Sequence, residues 1–245
     1  EDLIRAGRVQ VNNRVVTQMG VKVDPRRDKI LVDNRAVTLS PKPPTYIMLN
    51  KPRYVLSTTG SDREGRKTVL DLVKVEARVF PVGRLDFESE GLILLTTDGE
   101  LAHRLTHPSF EHDREYEVLV AGKPTPNTLR RWRAGGFEVD GKPVGPMRVE
   151  PLSPTGPGWF RVILKEGRKR QIRTIAAQLN HPVITLVRVR LGPLKLGRLK
   201  AGAWRHLSPR EVDLLRQSAR AKKRPNPARR NSAPRHSNNA RGYGE

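Results

Sequence analysis

One stretch constrains the fold of this chain more than any other: a lone carboxylate, Asp86, in a short polar turn between two apolar runs. Residues 78–82 read as a strand entering the turn. Residues 92–97 read as a buried strand leaving it and ending in the Asp98-Gly99 turn. Gly83 and Gly91 stand at the two ends, where the backbone must bend in ways that strain a residue carrying a Cβ. A chain that doubles back like this builds sheet and presents the turn's side chains at the rim.

Composition narrows the partners. The chain has 245 residues, 36% of them hydrophobic, and a formal net charge of +22. That balance favours a polyanion, most simply nucleic acid. The charge is not confined to a tail, because Lys and Arg also crowd residues 161–173. There is no cysteine, which excludes disulfides and thiolate zinc sites and suits a reducing cytoplasm. No apolar run is long enough to span a bilayer. The first residue is Glu1 rather than Met, so the natural product is expected to extend further at this end.

Residues 1–7 read as the last turns of a helix closed by Gly7. Short alternating strands follow, with Asn12-Asn13 and Asp33-Asn34 as turns. Arg5, Arg8 and Arg14 edge this small basic module. The motif Ala6-Gly7-Arg8-Val9-Gln10-Val11-Asn12 resembles an S4 RNA-binding domain, with only the later part present. The domains are expected at 1–40 (S4-like), 41–45 (a proline-rich linker), 46–215 (catalytic) and 216–245. From Arg220 to Glu245, eight Lys or Arg stand against one acid, so the last segment is expected to be a disordered basic tail.

In the catalytic part, Tyr46-Ile47-Met48-Leu49-Asn50-Lys51-Pro52 reads as a strand running into a turn. Thr68 and Asp98 sit where they can cap helices. Residues 114–120 alternate as a strand. Residues 135–141 and 148–152 read as hairpin strands, and residues 159–165 as the clearest strand. Residues 168–179 carry apolar positions 172, 175, 176 and 179, a helical stripe. Ser208 and Pro209 open a last short helix.

Three motifs carry a family resemblance. Gly83-Arg84-Leu85-Asp86, with Gly91-Leu92-Ile93-Leu94-Leu95-Thr96 and Asp98-Gly99, resembles the nucleophile motif of RNA pseudouridine synthases. The branch that modifies small- and large-subunit ribosomal RNA is the most similar. Arg114-Glu115-Tyr116 resembles the second motif, where the family usually has Lys in place of Arg114. Gly167-Arg168-Lys169-Arg170-Gln171-Ile172-Arg173 resembles the third. After it the chain departs from the family, with Thr174-Ile175-Ala176 where a second Arg and bulkier residues are common.

The resemblance implies an α+β fold: a mixed, mainly antiparallel sheet with flanking helices, preceded by the S4-like module. It implies that Asp86 is the nucleophile, that Arg173 pairs with it, and that Tyr116 stacks on the target base with Ile172 packed beneath. Arg84 is expected to enter the RNA. Arg114, Arg168, Lys169 and Arg170 are expected to bind it, with Arg5, Arg8 and Arg14 adding contacts from the module. Isomerising uridine involves no redox step, so no cofactor or metal is demanded. The expected partner is ribosomal RNA, 23S ahead of 16S, or a pre-ribosomal particle. The protein is expected to be monomeric, cytoplasmic and free of membrane. Two rival readings use the same residues: a non-catalytic ribosome-assembly protein, and a hydrolase pairing Asp86 with Glu88, Glu90 or Asp98.

Overall fold

The fold turns on two strands with no polar face. In the computed structural model, which describes residues 1–24, 27–37, 43–60, 62–107, 112–152 and 158–220, the chain divides into two compact units, Glu1–Pro43 and Pro44–Glu245. Residues 38–42, which include the first two positions of the expected linker, lie outside the described residues, as do residues 221–245 of the expected tail.

The first unit comprises α1 (Asp2–Arg5), β1 (Val9–Val11), β2 (Arg14–Val15), β3 (Ile30–Val32) and β4 (Arg35–Ala36). Its four strands form one sheet in the order β2-β1-β3-β4. The two tight turns use Asn12-Asn13 and Asp33-Asn34, all with φ between 50° and 65°. Asn and Asp tolerate this left-handed region, and turns of that hand match strand twist. No described residue here is fully buried, as befits so short a segment.

The second unit comprises β5 (Tyr46–Lys51), α2 (Val69–Leu72), β6 (Phe80–Val82), β7 (Glu90–Thr96), α3 (Gly99–Thr106), β8 (Arg114–Val120), α4 (Pro126–Ala134), β9 (Glu138–Val139), β10 (Lys142–Pro143), β11 (Arg148–Pro151), β12 (Trp159–Leu164), α5 (Gln171–Gln178), β13 (Val183–Leu191), β14 (Leu194–Lys195), β15 (Trp204–His206) and α6 (Pro209–Arg220). Its main sheet runs β11-β12-β8-β13-β7-β5-β15, with β14 on β13 and β6 on β7. Pairing is antiparallel except between β7 and β13. The α+β class and mixed sheet agree with the sequence reading.

Strands β5 and β7 lie inside the sheet and are covered on both faces. Ile47, Leu49, Ile93 and Leu95 enter one core together with Val118, Trp132 and Ile175. Met48, Leu92 and Leu94 enter the other, under Leu101, Leu105 and Leu215 of α3 and α6. Two-sided burial explains the unbroken apolar runs. Each such side chain contributes roughly 1.5–3 kcal/mol by leaving water. Asp98 caps α3, its carboxylate accepting from the Leu101 N–H at 3.0 Å. The Asp71 carboxylate accepts from the Thr68 N–H at 2.7 Å, closing a capping box on α2.

The structure corrects three details. Strand β9 pairs with β10, and β11 pairs with β12, so residues 135–141 and 148–152 are not partners in one hairpin. Helix α5 begins at Gln171, because Arg170 takes a left-handed conformation with φ 52°. Arg168, Lys169 and Arg170 therefore form the turn before the helix rather than its face. Helix α6 runs to Arg220, so residues 216–220 are helix and not tail. Leu215 and Ala219 bury one side of it.

Candidate active site

Asp86 stands in a turn braced from both sides. Leu85, just before it, donates its N–H to Ser57 Oγ at 3.2 Å, and that hydroxyl donates to the Leu85 carbonyl at 3.0 Å. The Ser89 N–H donates to the Asp86 carbonyl at 3.0 Å, and the Tyr54 N–H to the Phe87 carbonyl at 2.7 Å. The Lys51 side chain, wholly buried, lies under the turn. Its ammonium donates to the carbonyls of Val55 at 2.9 Å, Pro52 at 3.0 Å and Phe87 at 3.5 Å. Burial pulls the Lys51 amine down to about 8, against the opposing pull of Glu90 and Asp86.

The turn opens on a cavity of about 390 Å³, within the ~300–1,000 Å³ usual for ligand pockets. Asp86, Tyr116 and Ile172 all line it, with Arg84, Lys169, Arg170 and Arg188 among its basic residues. Tyr116 comes from β8 and is buried at 9% exposure. Its ring belongs to the apolar core on one side of the sheet. Ile172, in the first turn of α5, is buried at 3% exposure. Three elements distant in sequence thus bring a carboxylate, a ring and an aliphatic floor to one place.

Arg173 reaches the turn but not the carboxylate. Its Nη2 donates to the Glu88 carbonyl at 3.1 Å and to Ser89 Oγ at 3.3 Å, and Nη1 lies 4.0 Å from the Glu88 carboxylate. Asp86 has no ion pair among the described residues. Burial lowers the Arg173 guanidinium below the usual arginine range, opposed by Glu88 and, more weakly, by Asp86. The expected Arg173–Asp86 contact is therefore replaced here by a grip on the backbone that carries Asp86.

The remaining basic residues divide by partner. Arg84 and Lys169 are exposed at the cavity. Arg170 Nη2 donates to the Glu88 carboxylate at 3.1 Å. Arg114 donates to the Lys165 carbonyl at 3.3 Å, and burial lowers its guanidinium, with Arg188 adding repulsion. Arg168, also on the cavity lining, holds the β9–β10 segment through the Lys142 carbonyl at 2.7 Å and pairs with Glu166 at 3.2 Å. In the first unit, Arg8 closes a bidentate pair with Asp33 at 2.7 and 2.5 Å, and Arg5 pairs with Asp2 at 3.0 Å. Arg14 is exposed. Pairing to carboxylates makes Arg5 and Arg8 weaker candidates for RNA than their charge implied.

Sequence reasoning missed Lys51 and Arg188 as parts of the site. Arg188 is buried at 3% exposure on β13, opposite Tyr116 on one side and Gly91 on the other. Its Nε donates to the Leu92 carbonyl at 2.8 Å, while Nη2 is buried without a hydrogen-bond partner. The available signal was an arginine set among Leu186, Val187 and Val189, since a charge so placed needs a reason to be buried.

The family model described as RNA pseudouridylate synthase matches residues 45–179. The chain belongs to this family. The synthase is 41% identical over 217 residues to an Aquifex aeolicus protein described as an uncharacterized RNA pseudouridine synthase, covering 88% of this chain and 86% of that one. It is 40% identical over 223 residues to ribosomal large subunit pseudouridine synthase B of Bacillus subtilis, covering 89% of each. Among solved structures it resembles a crystal structure of pseudouridylate synthase, with TM-score 0.66, 26% identity, and coverage of 87% and 91%. The synthase is thus an isomerase acting on RNA. No helix among its described residues is long and apolar enough to cross a membrane.

Proposed function

We propose that the synthase isomerises one uridine of 23S ribosomal RNA, with Asp86 as the nucleophile. The observation that carries the reading is Asp86, Tyr116 and Ile172 lining one cavity with a basic rim. The similarity to a Bacillus subtilis enzyme named for the large subunit supports the choice of RNA. The uridine leaves its stack, at a cost of a few kcal/mol, and Arg84 takes its place at the mouth. Stacking on Tyr116 returns roughly 1–3 kcal/mol. Asp86 assists cleavage of the bond from N1 to C1′, by attack on the sugar or on the base. The loosened uracil turns over between Tyr116 and Ile172. C5 then bonds to C1′, the proton on C5 leaves, and N1 gains one. Atoms and electrons balance without an oxidant or reductant.

The surroundings of Asp86 are cationic. Arg173 fixes the turn through Glu88 and Ser89, and Arg188 and Lys51 add positive potential from beneath. The first unit serves as an S4-like RNA contact, with Arg14 exposed on it. The enzyme acts as a cytoplasmic monomer on rRNA or a pre-ribosomal particle.

Mapping pseudouridines in both rRNAs from cells lacking the gene tests this reading. One 23S position should revert to uridine and be restored by the wild-type gene but not by Asp86→Asn. A lost 16S position, or an unchanged map, contradicts the assignment.

A further inference from the structure

We propose that Tyr54 is a stacking platform for an unpaired nucleobase of the substrate RNA, next to the target uridine. The inference rests on the RNA-isomerase reading and adds a second nucleotide site to it. Tyr54 is 62% exposed, although a large aromatic ring ordinarily gains by burial. Its φ is 61°, a left-handed conformation that is an outlier for a bulky residue. Glycine or asparagine would meet that backbone with less strain, so local folding does not account for a tyrosine here. Strain of this kind persists where the surroundings over-determine it, often at ligand sites.

The surroundings do over-determine it. The Tyr54 N–H is bonded to the carbonyl of Phe87, the residue after Asp86. The Tyr54 ring meets the Phe87 ring edge-on, centroids 5.5 Å apart, and Arg66 covers Phe87 at 5.6 Å. Arg53 is fastened to the Ile184 carbonyl and to Glu90. A second cavity, of about 330 Å³, lies beside the ring, lined by Arg53, Glu88, Arg170, Arg173 and the half-exposed Ile184. The lining carries three arginines and one carboxylate, with Glu90 behind Arg53, a balance that suits a phosphate backbone. An exposed ring beside them suits a base, because base–aromatic stacking tolerates any sequence. The two cavities share Arg170, and Glu88 lines this one while Asp86 and Ser89 line the catalytic one, so a nucleotide here is a near neighbour of the flipped uridine.

The test uses the full chain, a short fluorescein-labelled oligouridine and unmodified rRNA transcript. Tyr54→Asn removes the ring and keeps a residue that accepts positive φ. It should weaken oligouridine binding roughly tenfold, leave the melting temperature unchanged, and place the loss with rRNA on KM rather than kcat. Tyr54→Phe should bind like wild type. Wild-type affinity in Tyr54→Asn overturns the platform, as does failure of that variant to fold, which would make the ring structural. A wild-type protein that isomerises rRNA while Tyr54→Asn shows the same KM rejects the platform alone. A wild-type protein with no isomerisation rejects the underlying reading.

Discussion

The carbonyl oxygen of Arg188 would lie 2.3 Å from a Cβ on Gly91, and its nitrogen 2.5 Å. This contact marks the seam where β7 and β13 run parallel, and the residue pair Arg188–Gly91 is in register there. Gly91 has φ 105°, so both conformation and space demand glycine. The seam follows the Asp86 turn in the chain and joins β7 to the strand that carries Arg188.

Gly91→Ala should therefore cost roughly 3 kcal/mol or more, since backbone faces the new methyl and cannot move cheaply. Urea unfolding of the purified variant checks this. A midpoint within error of wild type would contradict the seam's role.

Lys51 links stability to alkaline pH. Its folded value, about 8, is below the ordinary 10.5, so between these values the unfolded chain binds more protons. Stability contributed by this group then rises as pH goes from 8 to 10.5, by up to ~3 kcal/mol. Lys51→Met should lose that rise, measured as the difference in unfolding free energy between wild type and variant. A difference that stays constant from pH 7 to 10.5 would contradict the burial of a charged ammonium.

Glu211 acts at the other end of the scale. Arg205 holds it through bonds of 2.7 and 2.8 Å, and the Ser208 N–H adds another at 2.9 Å, lowering its carboxyl to about 2. The group is protonated only below its ordinary range near 4.5. Its stabilisation is complete above that value and is lost as pH falls from about 4.5 to 2. Glu211→Gln should cost roughly 1–2 kcal/mol at pH 7, discounted for the partly exposed arginine, and almost nothing at pH 2. Thermal melts at the two pH values check the sign.

Arg188 lines the catalytic cavity, and its Nη2 is buried without a hydrogen-bond partner. Arg188→Lys keeps the charge but not the reach or the fork. It should lower kcat roughly a hundredfold while the protein stays folded. Activity within twofold of wild type would make Arg188 a purely structural residue.

What was legible in the sequence was local. The Asp86 turn, the Asp98 cap, the two-sided burial of residues 92–95 and the strand carrying Tyr116 all follow from neighbours in the chain. The start of α5 was hidden because Arg168, Lys169 and Arg170 have good helix propensity, and only the left-handed Arg170 ends the preceding turn. The roles of Lys51 and Arg188 were hidden because their partners are backbone carbonyls, at positions no side-chain pattern marks. Arg173 was placed at the right turn but on a different partner, since choosing between Asp86 and the Glu88 carbonyl depends on ångström-scale placement.

The central claim is that the Asp86 carboxylate performs the isomerisation. Release of tritium from rRNA labelled at uracil C5 reads the reaction directly, because C5 loses its hydrogen when it bonds to C1′. Purified Asp86→Asn should release none above background while binding that RNA with wild-type affinity. Tritium release by Asp86→Asn at a rate near that of wild type would contradict the account.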